Sequence, residues 1–238
     1  MIAIRSLAFM VLFYLWSVLV AVGCALVILP APRRWAMGMM RVWAQGIIFL
    51  LRAVCDIRVE VRGREHMPKG ASVLAPKHQC MFDVFAHLAW LPDVCFVMKK
   101  ELMWIPFFSW YAMKARMIVV DREGHSTALR KLVRDADERF AQDRQVMIFP
   151  EGTRTAPGAA PDYKPGIAAL YRDLDSPCWP MATNSGVHWP AHGFKRHPGT
   201  IVFEFLPPIP AGLKRAEFMA ELERRIETAS TALLTPNR

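Results

Sequence analysis

The first fifty-five residues contain no Asp or Glu, yet Arg5, Arg33, Arg34, Arg41 and Arg52 give them five positive charges. Over the whole chain Lys+Arg is 30 against 21 Asp+Glu, a formal surplus of +9. More than half of that surplus therefore sits in the most apolar part of the sequence. Such placement suits anionic lipid head groups better than a DNA groove, and no nucleic-acid partner is expected. Paired cysteines are missing as well. Cys24, Cys55, Cys80, Cys95 and Cys178 form an odd, scattered set with no C-x-x-C, which argues against a disulfide framework or a zinc ribbon. His188 and His192 have a ligand-like spacing, but no cysteine or carboxylate lies near them and Pro190 stands between them, so no metal is expected. Internal repeats and low-complexity linkers are also lacking, which leaves one domain behind an N-terminal appendage.

What is present begins with an apolar run. Leu7 to Leu29 is 23 residues without a charge. As a helix it would be about 34 Å long, enough for a hydrocarbon core of roughly 30 Å. A cleaved secretory signal is the rival reading, but its apolar region is shorter and ends in small residues. Here the run ends in Leu29-Pro30-Ala31-Pro32-Arg33-Arg34, a stop and a turn. A second apolar stretch, Trp35 to Ile57, has helical spacing. Either the first segment spans and the second lies on the surface, or the two form a re-entrant hairpin in one leaflet. If the first spans, Arg33-Arg34 favours a cytoplasmic turn.

After Ile57 the texture changes. Ile57–Val61, Ser72–Ala75, Val94–Met98, Met117–Val120, Gln145–Phe149 and Ile201–Phe205 read as strands. Ser126 to Gln142 and Lys214 to Leu234 read as helices. Strands alternating with helices predict an α/β layered domain over 57–238, behind membrane-anchoring helices over 1–56.

Three short segments carry chemistry. His78 and Asp83 follow an expected strand. Five positions along an ideal helix rotate by about 500°, so the two meet only if His78 is on the loop and Asp83 is in the first helical turn. Asp83 would then fix the imidazole tautomer while the other ring nitrogen takes a proton. Phe149-Pro150-Glu151-Gly152-Thr153-Arg154 ends another strand, pairing a glycine that permits close backbone approach with an arginine fork suited to phosphate. Val120-Asp121-Arg122 ends a third. Taken singly, each arginine is as readily a surface ion-pair partner.

Together, in this order and spacing, these segments resemble the motifs of the lysophosphatidic acid acyltransferases within the glycerolipid acyltransferase superfamily. His78 and Asp83 match its H-x4-D motif, Asp121-Arg122 its second, Phe149 to Arg154 its F-P-E-G-T-R, and Pro180 in an apolar strand its fourth. Lys99-Lys100-Glu101-Leu102 with Ile105-Pro106 resembles a K-x-E-L-x-x-I-P segment, and Lys164-Pro165-Gly166 an F-K-x-G segment. Lys77 departs from the Asn common before the histidine. Ser109 and Ala115 stand where glycines are common.

The resemblance implies a mixed sheet flanked by helices, with an N-terminal apolar helix pair. It implies acyl transfer from acyl-CoA or acyl-carrier protein to the free hydroxyl of 1-acyl-sn-glycerol-3-phosphate, with no cofactor. His78 and Asp83 would be catalytic. Lys100, Arg122, Glu151, Gly152, Thr153 and Arg154 would bind the acceptor. No acyl-enzyme is required, although Cys80 beside His78 is a rival nucleophile. Another lysolipid, such as lyso-ornithine lipid, is an alternative acceptor, and an inactive membrane lipid-binding protein is an alternative of a different class. The expected location is the bacterial inner membrane, with the catalytic domain on the cytoplasmic side.

Overall fold

A computed structural model of the chain describes residues 1–23, 30–105, 108–121 and 125–234. Two long helices come first, α1 (Ile2–Gly23) and α2 (Arg33–Cys55). A seven-stranded sheet follows, built from β1 (Ile57–Arg62), β2 (Ser72–Pro76), β3 (Val94–Lys99), β4 (Ile118–Val120), β5 (Gln145–Met147), β6 (Cys178–Thr183) and β7 (Gly199–Phe205). Its order is β1-β7-β6-β2-β5-β3-β4. Between the strands lie α3 (Phe82–Ala86), α4 (Phe108–Lys114), α5 (His125–Phe140), α6 (Gly166–Asp173) and α7 (Ser185–His188), and α8 (Arg215–Ala232) follows β7.

The mixed α/β sheet matches the layered domain expected from the strand and helix spacing. β2 is parallel to both β5 and β6, and β3 is parallel to β5 and β4. β7 runs antiparallel to β6 and parallel to β1. Strands covered on both faces lose the alternation of a half-exposed strand. Every residue of β2 is buried, which is why Ser72 to Pro76 reads as a plain apolar run. β1, at the sheet edge, keeps an alternating pattern. Because five strands point the same way, the segments that follow β2, β3, β4, β5 and β6 all emerge at one rim. Open parallel sheets bind ligands at that rim. β5 stops at Met147, two residues before its expected end, although Ile148 N still donates to Leu74 O of β2 at 3.0 Å.

The helix pair packs as an antiparallel hairpin. The Cys55 thiol contacts the Arg5 carbonyl oxygen, Trp16 Nε1 donates to Trp43 O at 3.0 Å, and Trp43 Nε1 donates to Ser17 Oγ at 3.0 Å. Gly46 makes the close approach possible, because a Cβ there would lie 2.4 Å from the Trp16 indole. A stripe of α1, Ser6, Phe9, Phe13 and Val20, is buried. Phe9 meets Trp189 edge-on at 5.4 Å, Phe13 lies 6.2 Å from Phe85, and Ser6 Oγ accepts from Arg196 N at 2.8 Å. The hairpin thus runs alongside the α/β body. The outer face of α1 exposes Leu7, Val11, Leu15, Val18 and Leu19, an apolar surface with no charge. Both helices are long and apolar enough to cross a membrane, and this surface gives the chain a membrane-associating face.

The arginines of α2 do not all face outward. Arg33 forms a two-pronged bond to Asp93 at 2.5 and 2.7 Å, and Arg41 donates to the carbonyls of Leu91 and Pro92 at 2.9 and 3.1 Å. The expectation that the basic residues of this segment serve head groups is therefore corrected for these two, whose donors are spent on the body. Asp93 also accepts from the fully buried Arg144 at 3.1 Å. Burial would raise the Asp93 carboxyl, but the Arg33 hydrogen bond and the Arg144 charge outweigh it and hold it below its ordinary value. Asp93→Ala should destabilise the fold by about 3 kcal/mol, the lower end for a broken buried pair because Asp93 is partly exposed. A depressed carboxylate contributes stability above its unfolded value and loses it as pH falls through the folded one. Chemical denaturation in detergent should therefore show a wild-type advantage at neutral pH that shrinks below about pH 4.

Candidate active site

His78 leaves the end of β2 on a short loop and Asp83 sits in the first turn of α3, the one arrangement that lets the pair meet. His78 Nδ1 lies 3.3 Å from Asp83 Oδ2. The same oxygen accepts the backbone N–H groups of Gln79 and Cys80 at 2.6 and 2.7 Å. Asp83 is fully buried, so those donors stand in for water. Burial pushes its carboxyl up, but the bond and charge of His78, with the Cys80 backbone, leave it below the ordinary carboxylate range. The His78 ring stacks on Phe149 at 4.3 Å between centroids, an apolar lid that limits its rotation. Its Nδ1 is committed to Asp83, which leaves Nε2 as the nitrogen available for proton transfer.

A cavity of about 750 Å³ opens at His78. Its walls are mainly apolar, with Val84 from α3, Phe96 and Met98 from β3, Leu129 and Leu132 from α5, and Ile167 from α6. Its cations are Lys99, Arg154 and Lys164. This combination of an apolar pocket with a few polar groups near a titratable pair is the pattern of a small-molecule or lipid site. Leu129 and Leu132 were legible in the sequence as the apolar face of a helix; that the face covers a cavity was not.

Gly152, Thr153 and Arg154 line the cavity, and Gly152 has φ +64°, a left-handed turn that glycine adopts freely. Arg154 Nη1 donates to Ala191 O at 3.0 Å. Lys100 points to Asp121, 2.9 Å away and largely exposed, while its neighbour Lys99 lines the cavity. Arg122 falls outside the described residues. Glu151 is buried at 1% exposure and turned away from the cavity lining. Its Oε1 accepts from Lys77 Nζ at 2.6 Å and its Oε2 from His78 N at 3.1 Å. The sequence marked Lys77 only as a departure from a pattern, and nothing local pointed to Glu227, which also holds its ammonium.

Cys80 is buried and its thiol lies 3.5 Å from Asp83 Oδ1. Burial first, and then the Asp83 charge, drive its thiol well above the usual range, away from nucleophilic thiolate. Cys80 in the native protein should therefore resist iodoacetamide at pH 8 and react only after denaturation. Peptide mass mapping with and without denaturant checks this, and rapid native labelling would contradict it.

Comparisons with known proteins agree with the geometry. The family model described as Acyltransferase matches residues 58–184, more than half of the chain. A 1-acyl-sn-glycerol-3-phosphate acyltransferase of Pseudomonas aeruginosa is 34% identical over 200 residues, covering 84% of this chain and 77% of the relative. The human 1-acyl-sn-glycerol-3-phosphate acyltransferase alpha is 31% identical over 163 residues, covering 67% of this chain but 58% of the human protein. In fold, the chain resembles the crystal structure of the 1-acyl-sn-glycerophosphate (LPA) acyltransferase PlsC from Thermotoga maritima, with TM-score 0.83, 20% identity and full coverage of both chains. A histidine–aspartate pair at the mouth of an apolar cavity, on the matched segment and on that fold, places this chain in the acyltransferase family.

Proposed function

We propose that this enzyme transfers an acyl group from acyl-CoA or acyl-carrier protein to the free hydroxyl of 1-acyl-sn-glycerol-3-phosphate, giving phosphatidic acid. The observation that carries the proposal is the His78–Asp83 pair at one end of an apolar cavity that also carries Arg154, Lys164 and Lys99. An acyl chain fits the apolar walls, and a phosphate fits the cations.

In this reading His78 Nε2 takes the proton of the acceptor hydroxyl as its oxygen attacks the thioester carbonyl. The tetrahedral intermediate collapses, the carbon–sulfur bond breaks, and the leaving thiolate takes the proton back from the imidazolium. Asp83 steadies that imidazolium through its 3.3 Å contact with Nδ1. The buried, high-pKa Cys80 supports direct attack without an acyl-enzyme. Residues 1–56 act as the anchor and 57–238 as the catalytic domain. Packing of α1 along the body favours a hairpin lying in one leaflet, on the cytoplasmic side of a bacterial inner membrane, where a lipid acceptor reaches the site without its chain entering water.

His78→Ala should lower kcat by about 10²–10⁴-fold with membrane association unchanged. Radiolabelled acyl transfer by purified protein measures it, and retention of more than half the wild-type rate would remove His78 from the mechanism. Arg154→Ala should raise the acceptor KM for lysophosphatidic acid by about tenfold. That is the low end for a lost charged hydrogen bond, because Arg154 is exposed. Use of a phosphate-free lysolipid should change little. Equal losses on both acceptors would end the phosphate assignment. An acceptor panel that includes lyso-ornithine lipid decides the substrate class.

A further inference from the structure

Lys77, Glu151 and Glu227 form a buried charge cluster that the proposed reaction does not use directly. Lys77 is 2% exposed, and its three ammonium protons meet three carboxylate oxygens: Glu151 Oε1 at 2.6 Å and Glu227 Oε1 and Oε2 at 2.8 and 2.9 Å. An ammonium has three donors, so this ion is fully satisfied and has none left for a ligand. Tyr163 OH donates to Glu227 Oε1 at 2.9 Å, which fixes the outer carboxylate from a second side. The other oxygen of Glu151 accepts the His78 backbone N–H at 3.1 Å, and Lys77 N donates to Met181 O at 2.9 Å. Glu227 belongs to α8, the last helix, whereas Lys77 and Glu151 follow β2 and β5. A single chain of bonds thus runs from the C-terminal helix through Glu227, Lys77 and Glu151 to the backbone of His78.

The loop after β2 needs such a tie. His78 must hold its ring near Asp83 while its backbone leaves a strand end, and its carbonyl is already committed to Thr155 N at 2.8 Å. The amide on its other side is held by Glu151, whose carboxylate would swing without Lys77. Lys77 in turn has two carboxylates to face, and the one from α8 supplies two of its three bonds. Removing the Glu227 charge leaves the ammonium under-bonded in a buried site, free to draw Glu151 away from the His78 amide.

We propose that Glu227 is a positioning residue through which α8, acting by way of Lys77 and Glu151, sets the orientation of His78 for acyl transfer. The inference rests on His78 being the base. Its test separates the two.

Glu227→Gln keeps shape and removes charge. We expect kcat to fall about tenfold, with the KM values for donor and acceptor within twofold of wild type, and with Glu227→Asp recovering part of the rate. Unchanged kcat, a rise in either KM at constant kcat, or a fall explained wholly by a smaller folded fraction would overturn the proposal. If Glu227→Gln does not fold, Tyr163→Phe decides. It removes only the outer hydrogen bond, and a two- to fivefold drop in kcat is expected, whereas a wild-type rate overturns the idea. His78 is also followed without turnover, in ¹⁵N-histidine-labelled protein in detergent, with its ring signals assigned by their loss in His78→Ala. Glu227→Gln, or Tyr163→Phe in its place, should shift the His78 signals and leave those of His66, which follows the edge strand β1, in place; unshifted His78 signals overturn the proposal. A wild type that acylates no lysolipid, or a His78→Ala variant that keeps full rate, would defeat the proposed function instead. The ring signals still judge the positioning role in that case.

Discussion

A buried carboxylate without water must find donors, and that demand on Asp83 organises the catalytic end of the molecule. Two backbone amides and one imidazole nitrogen converge on a single oxygen of Asp83. The turn from Gln79 to Cys80 is held in place by the same bonds that aim His78. The imidazole and the loop that carries it are therefore one construction, held through the same carboxylate. Phe149 completes it by stacking on the ring, so the strand end that brings F-P-E-G-T-R to the rim also limits imidazole motion.

The same economy governs the membrane face. α1 has to satisfy two surroundings at once, a protein body on one side and hydrocarbon on the other. It does so with an apolar outer face from Leu7 to Leu19 and a buried stripe that includes Ser6 and its bond to Arg196 N. α2 is different, because it is sandwiched closer to the body and carries arginines. Arg33 is locked by Asp93, which a second cation, Arg144, already flanks from inside. The result ties α2 to the start of β3 by charge as well as by packing.

The layered α/β class, the pair of apolar helices and the condition under which His78 meets Asp83 were all accessible from residue order; which way the two helices pack was not. Each depends on local chemistry: hydrophobic period, a proline-bounded turn, and the geometry of a loop entering a helix. Strand limits were less accessible. β5 ends at Met147, although Ile148 N still donates to Leu74 O at 3.0 Å, and no propensity rule marks that Ile148 and Phe149 also line the cavity. The role of Glu151 was also hidden. A glutamate in a loop beside an arginine reads as an acceptor-side residue, whereas in the fold it faces Lys77 and the interior.

What the sequence by itself determined is which groups are available: a histidine and a carboxylate at loop-to-helix spacing, a set of cations, and an apolar segment of membrane length. These follow from the residue types and their spacing along the chain. What only the tertiary structure decided is which of those groups share a space. Arg154 and Lys164, from the segment after β5, and Lys99, from the end of β3, line one cavity, while Lys100 pairs with Asp121. Glu227 meets Lys77 across 150 positions of chain. Such contacts arise from how parallel strands order themselves in a sheet and which helix covers each face. Those choices are settled by the burial of the whole core, so no local stretch of sequence carries them.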